Sequence, residues 1–174
     1  MIPVICTANI PSELINDFLT TTYAAMTEAP QTLCIITSTN WTIYEKDESG
    51  GHGIETLSHG GGPMRVPSRP PWTIGFRSPF LNQRAEEVAK TLSSTQGEAK
   101  GLDMRYCVII DEQTLEDRTV LLVKTWRGEG SKLPKDDDSP IVECRVSFED
   151  ANACLQSFSV GIGSLEKLVW NQNA

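Results

Sequence analysis

The sequence predicts an α+β domain in which four to five strands form a single mixed β-sheet with helices packed on it. Two continuous apolar runs, 106–110 and 120–123, are typical of strands buried on both faces at the centre of a sheet. The predicted elements follow the order helix, strand, strand, insertion, helix, three strands, helices, without the strict alternation of a doubly wound fold. We expect these side chains at the centre of the sheet: Val108, Ile110, Leu121 and Val123.

The first helix is predicted over residues 13–26, where apolar side chains recur at helical spacing and form one stripe. Residues 32–37 are rich in β-branched and apolar side chains and predict a short strand. Residues 41–44 predict a second strand or its continuation.

The composition changes after this point. Six of the thirteen glycines lie in residues 50–62, and five of the ten prolines lie in residues 63–79. A loop of this length in a compact domain is usually functional or a disordered insertion. We therefore expect one domain, 1–174, that contains a Gly/Pro-rich insertion or lid loop at 47–79.

Beyond the insertion, Ser78 and Pro79 predict the N-cap and first position of a helix. After the two central strands, joined by a solvated connection at 111–119, residues 141–146 alternate and predict a strand with one solvated face. Ser147 is expected to cap a short helix over 148–155, and Ser164 is expected to start the last helix.

Composition and charge exclude several classes of protein. The 39% hydrophobic content of the 174 residues argues against a wholly disordered chain, and a net charge of −8 without a basic stripe argues against a nucleic-acid partner. No signal peptide and no apolar run long enough to span a membrane is recognisable, so no membrane partner is expected. Five widely spaced cysteines predict free thiols and a cytoplasmic location.

Thr114 and five segments of the C-terminal half carry a resemblance to known proteins: VIIDE at 108–112, TVLLV at 119–123, RV at 145–146, AN at 151–152 and SVGIG at 159–163. Through these segments, residues 102–170 resemble an uncharacterised domain-of-unknown-function family of small bacterial and fungal α/β proteins. The resemblance implies a fold. It implies no catalytic residue, because the family has no assigned activity.

The insertion contains the first candidate site, His52-x-x-Glu55-x-x-x-His59. Two imidazoles and a carboxylate suit zinc, but the spacing matches no established signature and the glycines leave the ligands unsupported. A solvated surface loop is the alternative, and no metal is predicted. The glycines at 60–62, with Arg65 and Arg69, suit an anion instead, although no phosphate-binding motif is present.

The second candidate site is an acidic cluster that follows a predicted central strand and comprises Asp111, Glu112, Glu116 and Asp117. Ligand clefts of open α/β sheets lie at the carboxyl ends of strands, where paired carboxylates serve as acid and base or bind a metal. The alternative is a connection kept in solvent by its charges. Trp72 and Trp126 are expected to line a ligand pocket or to pack in the core.

Two functions follow from these patterns. The first is a non-catalytic domain that binds a small molecule or a protein, because no nucleophile–base constellation is present. The second is a small isomerase, cyclase or hydrolytic enzyme without an organic cofactor, whose cleft lies at the strand ends under the insertion. His52, His59, Asp111 and Glu112 would supply acid–base catalysis, while Arg65, Arg69, Trp72 and Trp126 would bind the ligand. Histidines folded over Asp111 would favour the enzyme.

Overall fold

Parallel and antiparallel strands together build one five-stranded sheet in the computed structural model, which describes residues 1–25, 31–44, 67–72, 77–95, 98–99, 101–125 and 141–172. The strands are β1 (Ile2–Cys6), β2 (Leu33–Ile35), β3 (Tyr106–Ile110), β4 (Thr119–Lys124) and β5 (Val142–Ser147). Their order across the sheet is β2-β1-β3-β4-β5. Strand β1 runs parallel to β2 and β3, whereas β4 is antiparallel to β3 and β5. The predicted α+β class with one mixed sheet is confirmed.

Five α-helices surround this sheet in the described residues: α1 (Ser12–Ala24), α2 (Ala85–Ser94), α3 (Glu112–Asp117), α4 (Phe148–Ser159) and α5 (Leu165–Gln172). Helices α1 and α4 pack together, and the rings of Phe18 and Phe148 meet edge to face at 5.2 Å between centroids. None of the described helices has the length and apolar character needed to cross a membrane.

Strand β1 was not predicted, although every one of its residues is buried. Proline lacks a backbone donor and is rare in central strands, so Pro3 argues against a strand here. The structure accommodates it because β3 pairs with β1 only from Val4 onward. The expected centre of the sheet is otherwise present, with Val108, Ile110 and Val123 fully buried and Leu121 half-buried.

The prediction of a strand at 41–44 is wrong, because Trp41–Tyr44 forms a 3-10 helix. The Tyr44 hydroxyl accepts hydrogen bonds from the backbone N–H groups of Thr37 and Ser38, at 2.9 and 3.1 Å. These bonds fold the chain back after β2, so it cannot continue as a strand. Trp41 and Tyr44 are buried in the core as a result.

Helix α2 begins at Ala85 rather than at the predicted Ser78–Pro79. Ser78 accepts a hydrogen bond from the Phe80 N–H at 3.2 Å within a turn, and Asn82 then adopts a left-handed conformation with φ of 64°. A left-handed residue breaks a right-handed helix, so the helix starts only after Arg84. The connection at 111–119 also differs from the prediction, because it contains the short helix α3.

The conformation of Asn82 gives a testable prediction. A Cβ atom disfavours the left-handed region, and asparagine tolerates it better than alanine does. We expect Asn82→Ala to lower the free energy of unfolding by about 1 kcal/mol and Asn82→Gly to leave it within about 0.5 kcal/mol. Urea denaturation of both variants measures the difference. Equal losses in the two variants would show that backbone conformation is not the cause.

Part of the predicted insertion docks against the edge of the sheet. The Ser68 N–H donates to the Leu33 carbonyl at 2.8 Å, and the Ser68 hydroxyl accepts from the Ile35 N–H at 2.9 Å. Tyr23 donates to the Ser68 carbonyl at 3.0 Å, and the Asn16 side chain bonds both backbone groups of Trp72. Residues 67–72 therefore belong to the packed domain. Residues 47–66 and 73–76 of the predicted lid lie outside the described residues.

The two faces of the sheet are covered differently. Contacts of Tyr106 with Phe158 and of Lys124 with Glu166 place α4 and α5 on the same face as α1. Alternation along the strands directs Ile109, Leu121 and Arg145 to the opposite face, where α2 approaches β4. This second face holds the cavity described next.

Candidate functional site

A cavity of about 410 Å³ opens on the α2 face of the sheet, beyond the ends of the parallel strands β1 and β3. Its wall contains three carboxylates and two guanidinium groups. The lining residues are Thr7, Gln83, Arg84, Ala85, Glu86, Ile109, Asp111, Gln113, Leu121, Glu143 and Arg145. The carboxyl ends of parallel strands leave room for a ligand, because the chain departs there into loops and helices.

Strand register brings the floor of the cavity together. Ile109 pairs with Leu121, and Leu121 pairs with Arg145, so the three side chains form a row on one face. Glu143 lies two residues before Arg145 and therefore points to the same face. The apolar pair and the two charged side chains thus form one continuous surface.

The start of α2 forms the opposite wall. The Asn82 N–H donates to the Thr7 carbonyl at 2.8 Å, which fixes this turn beside the end of β1. The Glu87 carboxylate accepts a hydrogen bond from the Arg84 N–H at 2.8 Å and satisfies a backbone donor at the helix start. Gln83, Arg84 and Glu86 are held at the cavity by this arrangement.

Asp111 is committed to hydrogen bonds within the protein. One carboxylate oxygen caps α3 by accepting from the Thr114 N–H at 3.1 Å and from its hydroxyl at 3.0 Å. The other oxygen forms an ion pair with Arg145, which also donates to the Thr119 hydroxyl at 3.3 Å. Asp111 therefore orients Arg145 and is poorly placed to exchange protons with a ligand.

Glu143 differs, because its carboxylate makes no hydrogen bond or ion pair within the described part of the chain. Partial burial raises the pKa of Glu143 above its ordinary value, and the nearby carboxylates of Glu86 and Asp111 raise it further while Arg145 lowers it. A carboxylate in this environment accepts a proton or binds a cation more readily than an isolated one.

The predicted site residues are placed as follows. Asp111 lines the cavity, whereas Glu112 is exposed on α3 and is not part of the lining. Arg69 is exposed and Trp72 is buried at 3% exposure, and neither lines the cavity. The remaining predicted site residues, His52, His59, Arg65 and Trp126, lie outside the described residues.

The sequence analysis missed most of the cavity wall, including Glu143 and Arg145. A signal for these two was present, because strand β5 was predicted to have one solvated face and both residues occupy it. The signal was overlooked because opposite charges at alternate strand positions are common on exposed sheets. Gln83, Arg84 and Glu86 had no signal, because the helix start was placed too early.

A cysteine nucleophile and a metal centre have less support than this cavity in the described part of the chain. All five cysteines are described and none forms a disulfide bond, and burial raises the pKa of Cys6 and Cys34 to about 12. Their thiols stay protonated at neutral pH and are poor nucleophiles. Among the described residues, no group of three or more histidine, cysteine, aspartate or glutamate side chains is arranged to hold a metal ion.

Comparison with known proteins finds no matching family model, no similar curated protein and no similar solved structure. The resemblance of residues 102–170 to a family without assigned activity therefore remains a prediction.

Proposed function

We propose that the chain is a non-catalytic binding domain whose ligand is a small polar molecule held in the cavity between α2 and β5. The observation that carries this proposal is the composition of the cavity wall. Two apolar side chains, Ile109 and Leu121, form a floor that charged and amide groups surround. Small-molecule sites combine apolar surface with a few polar groups in this way.

The internal bonding of the wall also supports a binding role. The Asp111–Arg145 ion pair fixes two of the charged side chains in place, which lowers the entropy lost when a ligand binds. Glu143 is exposed at the cavity, and its carboxylate makes no hydrogen bond or ion pair within the described residues. This acceptor is therefore available to a ligand.

Blocking the cavity tests this proposal. Gln113 is exposed on α3 and lines the cavity, so Gln113→Trp should fill the opening without disturbing the core. Leu115 lies on the same helix, is 46% exposed and does not line the cavity, so Leu115→Trp is the matched control. The wild-type protein and both variants would be screened by NMR against a library of small polar molecules.

The expected result is saturable binding that shifts the amide signals of cavity residues in the wild type and in Leu115→Trp. Binding should weaken at least about tenfold in Gln113→Trp, because the indole occupies the site and removes most direct contacts. A hit whose affinity is equal in all three proteins binds elsewhere and would contradict the proposed location. A library without any hit at the cavity would contradict the function.

A second candidate is a small enzyme without an organic cofactor, and Glu143 is the observation that favours it. Its pKa is raised above the ordinary value of a glutamate, which is the direction that suits a carboxyl group for proton transfer. The discriminating measurement follows a cavity ligand by NMR in D₂O over hours. Deuterium incorporation or product formation that Glu143→Gln abolishes would establish catalysis. A chemically unchanged ligand would leave binding as the function.

A further inference from the structure

We propose that the outer edge of β5 binds the same edge of a second copy of this chain, so that two five-stranded sheets join across a two-fold axis at Cys144. This inference goes beyond the proposed function and does not depend on it. It rests on three features of the described residues: the position of β5 in the sheet, the charges of Glu143 and Arg145, and the exposed apolar surface of α5.

The two edges of the sheet differ in how they are covered. At the β2 edge, the Ser68 N–H donates to the Leu33 carbonyl and the Ser68 hydroxyl accepts from the Ile35 N–H, so another segment covers this strand. At the opposite edge, β5 pairs with β4 along six residues, and no second strand of the described residues pairs with it. An edge strand presents backbone donors and acceptors on its outer side, where another strand can pair.

Charge selects one register for a pair of β5 strands. In an antiparallel pair related by a two-fold axis, the residue on the axis faces its own copy, and residues equally far on either side of it face each other. An axis at Glu143 would oppose two glutamates, and an axis at Arg145 would oppose two arginines. An axis at Cys144 places Glu143 opposite the partner's Arg145, and symmetry repeats this pair. Opposite charges at facing positions stabilise a strand pair, whereas like charges destabilise it.

The other face of β5 is compatible with this register. An axis at Cys144 places Val142 opposite the partner's Val146, and branched side chains pack well on a pleated surface. Cys144 and Val146 are already buried within their own chain, at 4% and 7% exposure. The register therefore pairs apolar side chains on one face of the joined sheet and opposite charges on the other.

Both charged side chains have the capacity for this contact. Glu143 is exposed, and its carboxylate makes no hydrogen bond or ion pair within the described residues. Arg145 bonds Asp111 and the Thr119 hydroxyl, but a guanidinium group has five N–H donors and can bond a second carboxylate. The Glu143 carboxylate has two oxygens, so it can accept from the partner's Arg145 and from a ligand in the cavity.

Helix α5 places apolar surface beside the same edge. It packs chiefly on β5, and its Trp170 side chain is 75% exposed. A two-fold axis perpendicular to the sheet keeps both copies of α5 on one face, on either side of the axis. Dimerisation therefore brings together two helices that each expose an indole ring, and aromatic side chains are enriched in protein interfaces.

Charge-reversal variants test the interface and its register together. Glu143→Arg places like charges opposite each other in both symmetric pairs. Arg145→Glu does the same, and Asp111→Asn is added to that chain so that the new carboxylate does not face Asp111 while the cap of α3 is kept. An equimolar mixture of the two proteins restores opposite charges in both pairs. Glu13→Arg makes the first change on an exposed residue of α1 and is the matched control.

Sedimentation equilibrium from about 5 μM to about 1 mM measures the association, and circular dichroism checks that each variant is folded. We expect the wild type and Glu13→Arg to form dimers with a dissociation constant of about 10–100 μM. Each charge-reversal variant should dimerise at least about tenfold more weakly, because two attractive pairs become repulsive. The equimolar mixture should recover the wild-type affinity within about threefold.

A wild type that remains monomeric at about 1 mM would overturn the proposal and leave the β5 edge to an extended peptide of another protein. A dimer that Glu143→Arg leaves intact would place the interface elsewhere and overturn it as well. Two folded variants whose mixture stays monomeric would contradict the axis at Cys144. If the Arg145→Glu chain does not fold, the comparison of Glu143→Arg with Glu13→Arg still decides, since only Glu143→Arg should lose the dimer.

Discussion

Replacing Ile110 with alanine is expected to lower the free energy of unfolding by about 2–5 kcal/mol. Ile110 is fully buried at the end of the central strand β3 and pairs with Cys6 of β1. The truncation removes buried methyl and methylene groups and leaves a space that a close-packed interior cannot fill without rearrangement. Urea denaturation followed by circular dichroism measures the loss.

Ile162→Ala is the matched control for this experiment. Ile162 is 80% exposed in the turn between α4 and α5, so the same chemical change there removes little buried surface. We expect a loss below about 0.5 kcal/mol in this variant. Equal losses in the two variants would show that β3 is not at the centre of the core.

The central strands could be predicted because each consists of a continuous run of apolar residues, and such a run indicates burial. Residues 106–110 and 120–123 have no polar interruption, and an apolar run of this length favours a strand covered on both faces. Strand β1 has the same character, but Pro3 interrupts it. Only the register of β1 against β3, a tertiary feature, shows that the missing donor has no consequence there.

The starts of α2 and α3 were harder to predict than the central strands. Ser78-Pro79 is a good local start signal, but the chain needs the left-handed turn at Asn82 to connect the end of β1 with α2. Such tertiary requirements override local preference. The capping pattern Asp111-x-x-Thr114 was present in the sequence, but its helix is only six residues long and shows no apolar periodicity.

The candidate site depends on these same features, which explains why only one of its charged residues was predicted. Asp111 follows a recognisable strand, and strand ends are known positions for ligands. Glu143 and Arg145 meet it only through the antiparallel pairing of β5 with β4. Glu86 meets Glu143 only because α2 begins where it does. The site forms through the register of β5 against β4 and the position at which α2 begins. The pattern of residues along the sequence predicts both of these poorly.

The Asp111–Arg145 ion pair gives the second large effect. Each side chain is about a quarter exposed, at 24% for Asp111 and 23% for Arg145, so the pair lies between a surface and a buried salt bridge. Exposed pairs contribute up to about 1 kcal/mol, while removal of one partner from a buried pair costs about 3–5 kcal/mol. We expect Arg145→Met to lower the free energy of unfolding by about 2 kcal/mol.

A double-mutant cycle separates the ion pair from the helix cap. Asparagine caps helices as well as aspartate does, so Asp111→Asn keeps the bond to the Thr114 N–H while removing the charge. We expect a coupling energy with Arg145→Met of about 1–2 kcal/mol. Asp111→Ala should cost about 1 kcal/mol more than Asp111→Asn, because it also removes the cap.

The Arg118–Asp17 pair is the internal control for this cycle. Its side chains are 60% and 35% exposed, so water screens the interaction and the coupling energy should stay below about 0.5 kcal/mol. High salt should reduce the coupling of this exposed pair more than that of Asp111 and Arg145. Equal coupling energies would mean that the ion pair does not fix the cavity wall, since its interaction would then be no stronger than that of an exposed pair. A larger coupling for Asp111–Arg145 would mean that the protein itself holds this wall in place before any ligand arrives.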